Sequence, residues 1–200
     1  QSEIFWNRPH VSLLSFSFDK KKRGTIIFIA ILLSLYFISI GRFILRRFER
    51  ETSFIENMAL SFPLGAGFAG TAVFLFGCMG QIRFGPILFF ILTTWLFSVR
   101  ETFLFFKELK GWIERVPRRL SPREIILLGL LLAHCLLNVI YSLGPPVGFD
   151  ATFYHLVMAK RYAKAQSLIA QPDIYWSFGP QLQEMLMTLG LTLHSDILAS

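Results

Sequence analysis

The fold of this chain is decided by a long apolar run, Gly24–Leu45, which reads GTIIFIAILLSLYFISIGRFIL. The run is nearly free of charge, and basic residues bracket it, with Lys20–Arg23 before it and Arg46 and Arg47 after it. A helix needs about 20 predominantly apolar residues to cross the hydrocarbon core of a bilayer. Gly24–Leu45 therefore predicts a transmembrane helix.

Three more apolar runs follow along the chain: Phe54–Met79, Phe84–Val99 and Ile125–Leu143. Hydrophobic residues make up 54% of the sequence, and 22 residues are Phe. A soluble domain of this length is normally about half apolar or less, so the composition argues against that class. The sequence predicts an all-α fold: a polytopic transmembrane helix bundle with an extracytoplasmic loop that carries a juxtamembrane helix.

The net charge of +7 comes from basic residues that lie in short segments at the ends of the runs. Such clusters set membrane topology and contact anionic head groups, so we expect membrane lipids as partners and no nucleic acid. The positive-inside rule predicts a cytoplasmic loop from Arg100 to Arg123 and an external loop around Asp150. Lys20–Arg23 conflict with this orientation, because an odd number of spans leaves them outside. The other basic residues at run ends are Arg42, Arg46, Arg47 and Arg50.

The second run contains Gly65-Ala-Gly-Phe-Ala-Gly70, a formal match to the dinucleotide-binding pattern G-x-G-x-x-G. That pattern binds pyrophosphate only at a strand-to-helix turn, whereas here it lies in the middle of a predicted span. Small residues four positions apart let two helices approach closely in lipid, so we interpret them as packing surfaces. One set of residues four positions apart is Ser61, Gly65 and Ala69, and a second set is Ala66 and Gly70.

Few side chains inside the apolar runs are able to bind metal ions, form disulfides or form hydrogen bonds. Cys78 and Cys135 have no neighbours at metal-ligand spacing, so we expect small packing residues and neither a disulfide framework nor a zinc site. His134 and Asn138 stand one helical turn apart in the fourth run. They are predicted to form a hydrogen bond with another helix.

After the fourth run, Asp150 follows a Gly- and Pro-rich breaker that begins at Gly144. Asp150 is suited to cap a helix from Ala151 to Gln166, whose apolar and basic side chains are typical of a helix that lies along a membrane surface. We divide the chain into an amino-terminal extramembrane segment (1–23), four transmembrane helices (24–143), this loop (144–180) and the start of a further span (181–200). Because the sequence ends within an apolar stretch, we expect it to be the amino-terminal piece of a longer protein.

Three stretches of the chain resemble a known family. They are Asp150-Ala-Thr-Phe-Tyr-His-Leu with Ala159-Lys-Arg-Tyr162 after it, Glu56-Asn-Met-Ala-Leu-Ser-Phe-Pro-Leu-Gly65, and Phe178-Gly-Pro180 through Glu184-Met-Leu to Ser195-Asp196. Together they resemble polytopic glycosyltransferases of the C superfamily, in particular bacterial members of the dolichyl-phosphate-mannose mannosyltransferase type (glycosyltransferase family 39). The resemblance covers roughly residues 55 to 200, and the Tyr-His pair after the aspartate is its most unusual feature.

The resemblance implies an enzyme that moves a sugar from a polyprenyl-phosphate-linked donor to an acceptor on the extracytoplasmic side of a bacterial inner (plasma) membrane. The acceptor is left open as a lipid, a glycan or a protein. Asp150 is implied to be the catalytic base or the residue that orients the acceptor. A positioned carboxylate can take the proton of an attacking hydroxyl, and the cations Lys160 and Arg161 can stabilise the charge that develops on the phosphate.

The remaining candidates for substrate binding are Tyr154, His155 and Glu184. His155 is suited to act as a second base or to contact the acceptor. It is equally typical of a polar residue that lies at the membrane interface. Tyr154 is also typical of an interfacial anchor, and Glu184 of an acid that complements a helix N-terminus.

A divalent cation is the one cofactor that the resemblance leaves open. Many relatives carry two adjacent acids in this loop, where the present chain has Asp150 followed by Ala151. One carboxylate holds a divalent ion weakly unless others, such as Asp173 or Glu184, join it. We therefore assign no metal-binding residue.

Two other classes of protein stay open. A transporter or flippase would use Asp150 and His155 to gate or relay protons. It would also place ionisable residues inside the spans, where this chain is predicted to have almost none apart from His134. A non-catalytic scaffold subunit would tolerate substitution at Asp150 and Lys160 and would not bind polyprenyl phosphate.

Overall fold

The computed structural model describes residues 20–48, 53–115, 121–142, 154–174 and 181–194. These residues are predominantly helical, and no strand occurs among them, which confirms the predicted all-α bundle. A short 3-10 turn, Arg46–Phe48, follows the first helix. The helices in chain order are α1 (Lys20–Leu45), α2 (Phe54–Cys78), α3 (Phe84–Arg115), α4 (Pro122–Ser142), α5 (Leu156–Ala165) and α6 (Leu182–Leu193).

Helices α1, α2 and α3 are long and apolar enough to cross a membrane by length and composition. They correspond to the first three predicted spans, so the chain is a membrane protein. The fourth predicted span forms α4, but the apolar stretch that the structure describes there, Ile125–Asn138, is shorter than a span. That fourth crossing therefore stays a prediction.

The small residues of α2 form two packing surfaces, as the sequence predicted. Gly65 lies directly against the backbone carbonyl of Phe37 on α1, and the backbone of Ser61 lies against Gly41 in the same way. Gly70 faces Leu182 on α6 instead. The dinucleotide-like pattern is thus a mid-helix segment at which two other helices approach closely, in agreement with small-residue packing in membranes.

Helix α3 is longer than its apolar run predicted. The sequence placed a loop from Arg100 onward, but the helix continues to Arg115, so the prediction of a loop is wrong for residues 100–115. At 1.5 Å per residue α3 is about 48 Å long, which exceeds the roughly 30 Å of a hydrocarbon core. Its carboxyl-terminal half is stabilised by rings, because Phe54 at the start of α2 packs against Phe105 and Trp112.

Arg42 was predicted to lie at a span end facing lipid head groups, and this prediction is wrong. Its side chain is only 4% exposed and lies between α1 and α3. Arg42 Nη2 donates to Glu108 Oε1 at 2.8 Å and Nη1 donates to Asn57 Oδ1 at 3.0 Å. Its Nε lies 3.8 Å from Glu101 Oε2, and Arg46 Nη1 lies 2.8 Å from the other oxygen of Glu101. The sequence missed this cluster because it ended the third span before Glu101.

The opposite end of the bundle holds α5. The Ile82 N–H in the α2–α3 turn donates to the carbonyl of Gln166 at 2.9 Å, and the Leu168 N–H donates to the carbonyl of Gly77 at 3.0 Å. Arg83 Nε donates to Gln166 Oε1 at 2.8 Å. These bonds fix the carboxyl-terminal end of α5 to the end of the three long helices that lies away from Arg42.

Polar and thiol groups predicted to pack between helices lie on exposed surfaces. Asn138 Nδ2 contacts His134 Nε2 at 2.9 Å within α4, where the sequence predicted a hydrogen bond to another helix. Cys78 and Cys135 are free thiols on exposed surfaces, so the prediction that they are packing residues is wrong. In a membrane these surfaces face lipid or parts of the protein beyond the described residues.

Candidate active site

The candidate site lies where α5 packs against α6. Helix α5 buries Leu156, Met158, Ala159 and Tyr162, and its charged residues lie on other faces. This amphipathic pattern matches the prediction of a helix with one apolar face. However, the buried face packs against protein, whereas the sequence predicted that it lies along the membrane surface. The described helix runs from Leu156 to Ala165 and ends at Gln166, whose φ of 57° is left-handed.

Two of the predicted site residues meet in this interface. Glu184, in the first turn of α6, places its Oε1 2.6 Å from Nδ1 of His155, which immediately precedes α5. The side chain of Glu184 is 4% exposed and that of His155 is 19% exposed. The pair joins residues far apart in sequence, and it is the shortest described contact between predicted site residues.

The hydrogen of this contact follows from the charge on Glu184. An ionised carboxylate only accepts hydrogen bonds, so Nδ1 of His155 donates wherever Glu184 is ionised. A charged carboxylate buried without such a donor is strongly destabilising, and Glu184 Oε2 is also buried without a hydrogen-bond partner among the described residues. An ionised Glu184 therefore depends on His155, and in a neutral imidazole this bond leaves Nε2 unprotonated.

Tyr154 lies against the imidazole. The centroids of the Tyr154 and His155 rings are 4.0 Å apart and the rings are tilted by 44°. The structure thus brings together three of the predicted residues: Tyr154, His155 and Glu184. The role of Tyr154 as a membrane anchor was the alternative, and a ring placed on His155 favours a role in shaping the site.

Tyr162 is a member of this interface that the sequence did not place in the site. It is 2% exposed, and its hydroxyl donates to Gln181 Oε1 at 2.9 Å. Burial raises the pKa of the Tyr162 phenol above its ordinary value of 10.0. Its position seven residues after His155 was the available signal, because two helical turns place both side chains on one face.

The predicted cations lie elsewhere on α5. Arg161 forms a two-pronged ion pair with Asp173, with Nη1 and Nη2 at 2.8 and 2.7 Å from the two carboxylate oxygens. The hydrogen bonds from Arg161 hold the pKa of the Asp173 carboxyl below its ordinary value. Lys160 is exposed. Helix geometry rotates Lys160 and Arg161 by about 140° and 120° from His155, so the described structure does not bring them to the imidazole.

The described residues do not fit a divalent cation. Glu184 Oε1 is engaged by His155, and both carboxylate oxygens of Asp173 are engaged by Arg161. No group of three potential metal ligands occurs in the described ranges. Asp150 itself lies outside them, and its predicted role as base or acceptor-orienting residue stays a prediction.

Glu56, the first residue of the second resembling stretch, has a structural role at the start of α2. Its Oε2 accepts from the Ser53 N–H at 2.9 Å, while the Glu56 N–H donates to Ser53 Oγ at 3.3 Å. This reciprocal arrangement is a capping box. The stretch therefore begins with a helix cap at the far end of the bundle from His155.

No family model matches this chain, and neither a curated protein nor a solved structure matches it. The described residues define an all-α membrane protein in which the buried Glu184 and the partly buried His155 form a pair at one end of the bundle.

Proposed function

We propose that this protein is a membrane glycosyltransferase that moves a sugar from a polyprenyl-phosphate-linked donor to an acceptor hydroxyl. The observation that carries the proposal is the His155–Glu184 pair. Its two members come from two of the stretches that resemble the C-superfamily glycosyltransferases, and they meet at the end of the membrane-spanning helices. A partly buried imidazole held by a carboxylate is a group suited to proton transfer, which sugar transfer to a hydroxyl requires.

The proposed reaction is a direct displacement at the anomeric carbon. The acceptor oxygen forms a bond to that carbon and gives up its proton to a base on the protein. The bond from the anomeric carbon to the phosphate oxygen breaks, and its electron pair leaves with the polyprenyl phosphate. Asp150 is proposed to receive the proton or to orient the acceptor, and a cation is needed to stabilise the departing phosphate.

Lys160 and Arg161 are the candidates for that cation. Lys160 is exposed on α5, and an ammonium group on a flexible stem suits a phosphate. Arg161 contacts Asp173 through two short contacts, and moving its guanidinium to a phosphate would break both of them.

An apolar cavity supports the proposal that the sugar donor is lipid-linked. It has a volume of about 270 Å³ and lies among α1, α3 and the end of α6, with Tyr36, Trp95 and Leu193 in its walls. A cavity of hydrocarbon character within membrane-spanning helices suits a hydrocarbon chain. The donor's phosphate would then lie toward the end of the bundle that holds α5.

The direct test is sugar transfer by the full-length protein in membranes, with a panel of polyprenyl-phosphate donors and the Asp150→Asn variant beside the wild type. We expect transfer to be lost in the variant, because the neutral amide neither takes a proton at neutral pH nor binds the acceptor hydroxyl as strongly as a carboxylate does. Glu114→Gln is the matched control, since Glu114 is an exposed acid on α3 at the far end of the bundle. Transfer that persists in Asp150→Asn would remove Asp150 from the mechanism.

The competing classes give different results in the same membranes. A scaffold subunit would show no transfer and no binding of polyprenyl phosphate. A transporter would move donor lipid across the bilayer without releasing free polyprenyl phosphate. The absence of transfer from every donor would contradict the proposed function.

A further inference from the structure

We propose that His155 is the proton acceptor of the transfer reaction and that Glu184 is its positioning residue. This inference rests on the proposed function and assigns the base within it. Asp150 then serves in the other role that the resemblance allows, which is to orient the acceptor hydroxyl. The proton of the acceptor passes to Nε2 of His155 as the acceptor oxygen bonds to the anomeric carbon.

The geometry of the His155–Glu184 pair supports His155 as the base and Glu184 as its positioning residue. Glu184 Oε1 lies 2.6 Å from Nδ1 of His155, so beside an ionised Glu184 a neutral imidazole donates from Nδ1 and keeps its lone pair on Nε2. The contact of Glu184 is made at Nδ1 and leaves Nε2 for the acceptor. The His155 side chain is 19% exposed while that of Glu184 is 4% exposed, so His155 is the more accessible member of the pair.

Burial makes Glu184 effective as a positioning group. When Nε2 takes a proton the imidazole becomes a cation, and the carboxylate at Nδ1 stabilises that cation most strongly where water is excluded. Glu184 lies in the first turn of α6, and the Thr188 hydroxyl, one turn later, donates to its backbone carbonyl at 2.6 Å. Glu184 is thus carried by a helix that packs against both α2 and α5.

Few titratable groups of the described chain surround His155. Glu184 faces it from α6, Tyr154 lies on its ring, and Tyr162 lies two turns further along α5. Arg83, from the α2–α3 turn, contacts the other end of α5 through Gln166. Among these groups, Glu184 makes the hydrogen-bond contact with the imidazole.

The test compares two nearly isosteric variants with the wild type in the transfer assay across pH. In His155→Asn the side-chain amide can still donate to Glu184, but no basic atom remains. We expect kcat to fall by roughly 10²–10⁴-fold, with loss of the acidic limb of the pH–rate profile. In Glu184→Gln the neutral amide removes the charge that stabilises the imidazolium formed when Nε2 takes the proton. We expect a fall of at least roughly 10²-fold, as the loss of a carboxylate partner produces in other histidine-dependent enzymes.

A second readout does not depend on activity. In protein with ¹⁵N-labelled histidine, the His155 signals, identified by their loss in His155→Asn, should report the Nδ1–H tautomer in the wild type. In Glu184→Gln the share of the Nδ1–H tautomer should fall, because a glutamine amide offers Nδ1 a donor as well as an acceptor. A wild-type Nε2–H tautomer would overturn the inference, even where a variant fails to fold.

The outcomes separate this inference from the proposed function. Wild-type transfer together with an unchanged rate and pH profile in His155→Asn would overturn the inference alone. A wild type without transfer from any donor would overturn the proposed function. Loss of the acidic limb in His155→Asn, with the Nδ1–H tautomer in the wild type, would support the assignment of His155 as base.

Discussion

At the residue scale, two carboxylates form short contacts with side chains of the α5 region in opposite surroundings. The side chain of Asp173 is 58% exposed beside Arg161, whereas that of Glu184 is 4% exposed beside His155. Exposed pairs are screened by salt and contribute little to stability, whereas buried ones are screened far less. We therefore expect the Arg161–Asp173 pair to weaken with ionic strength and the His155–Glu184 pair to persist.

The pKa of Asp173 gives a test of the exposed pair. Hydrogen bonds from Arg161 hold this pKa below the ordinary value of 3.8, so the carboxyl should titrate at lower pH than a free aspartate. Arg161→Gln should raise the midpoint toward 3.8. Because the folded pKa lies below the unfolded one, the pair stabilises the fold above the unfolded value, and this contribution is lost as the pH falls through the folded value.

The measurement is a ¹³C NMR titration of the Asp173 side chain in the purified protein, with Lys164→Gln as the control. Lys164 is an exposed cation on the same helix. Its replacement should leave the Asp173 midpoint nearly unchanged. Equal midpoints in the wild type and Arg161→Gln would show that the pair does not form in solution.

At the element scale, the closeness of α1 and α2 depends on Gly65. A methyl group at Gly65 would collide with the backbone carbonyl of Phe37, while one at Gly67 would meet nothing. Gly65→Ala should therefore lower the free energy of unfolding by about 1–3 kcal/mol, since a backbone does not move aside as a side chain does. Gly67→Ala should raise it by up to about 1 kcal/mol, because alanine is the better helix former.

Thermal unfolding of the two variants in the same detergent measures this difference. The opposite signs make Gly67→Ala an internal control for helix propensity, since both residues lie in α2. Equal effects of the two changes would contradict the close approach of α1 and α2.

The elements were predictable to different degrees. The spans at α1 and α2 and the small-residue surfaces of α2 follow from hydropathy and spacing, which are local properties. The end of α3 does not follow from them, because it depends on rings that meet across helices, as Phe54 does with Phe105. The burial of Arg42 was missed for the same reason, since its partner Glu101 lies on another helix.

At the scale of the whole molecule, two chemically different ends define the orientation of the bundle. The Arg42 cluster lies at one end, and α5, with the His155–Glu184 pair before it, lies at the other. The positive-inside rule predicts that the first end is cytoplasmic and the second extracytoplasmic. The topology of the described helices agrees with placing these two regions on opposite sides of a membrane.

Cysteine labelling tests this orientation. In a chain with Cys78→Ser and Cys135→Ser, a membrane-impermeant maleimide added to intact cells should label Lys164→Cys but not Lys110→Cys. Both positions are exposed, so both should react once the membrane is opened with detergent. Labelling of Lys110→Cys alone in intact cells would reverse the orientation, and equal labelling of both would contradict the two-ended arrangement.

The candidate site was predictable in part. The sequence identified Tyr154, His155 and Glu184 as individual residues, because they lie in stretches that resemble a family. It did not pair His155 with Glu184, since a contact between two helices depends on how those helices pack. Tyr162 was missed as a buried partner of the site because its aromatic ring and hydroxyl suit a membrane interface equally well.

The burial of Arg42 also bears on how the chain is made. A lone arginine opposes the partitioning of a nascent helix into lipid, and its partner Glu101 is synthesised only after α2 and the apolar start of α3. We expect α1 to remain beside the insertion machinery until Glu101 arrives, so that the first three helices are released into the bilayer together. The ion pair between Arg42 and Glu101 would thus determine when the first three helices enter the bilayer.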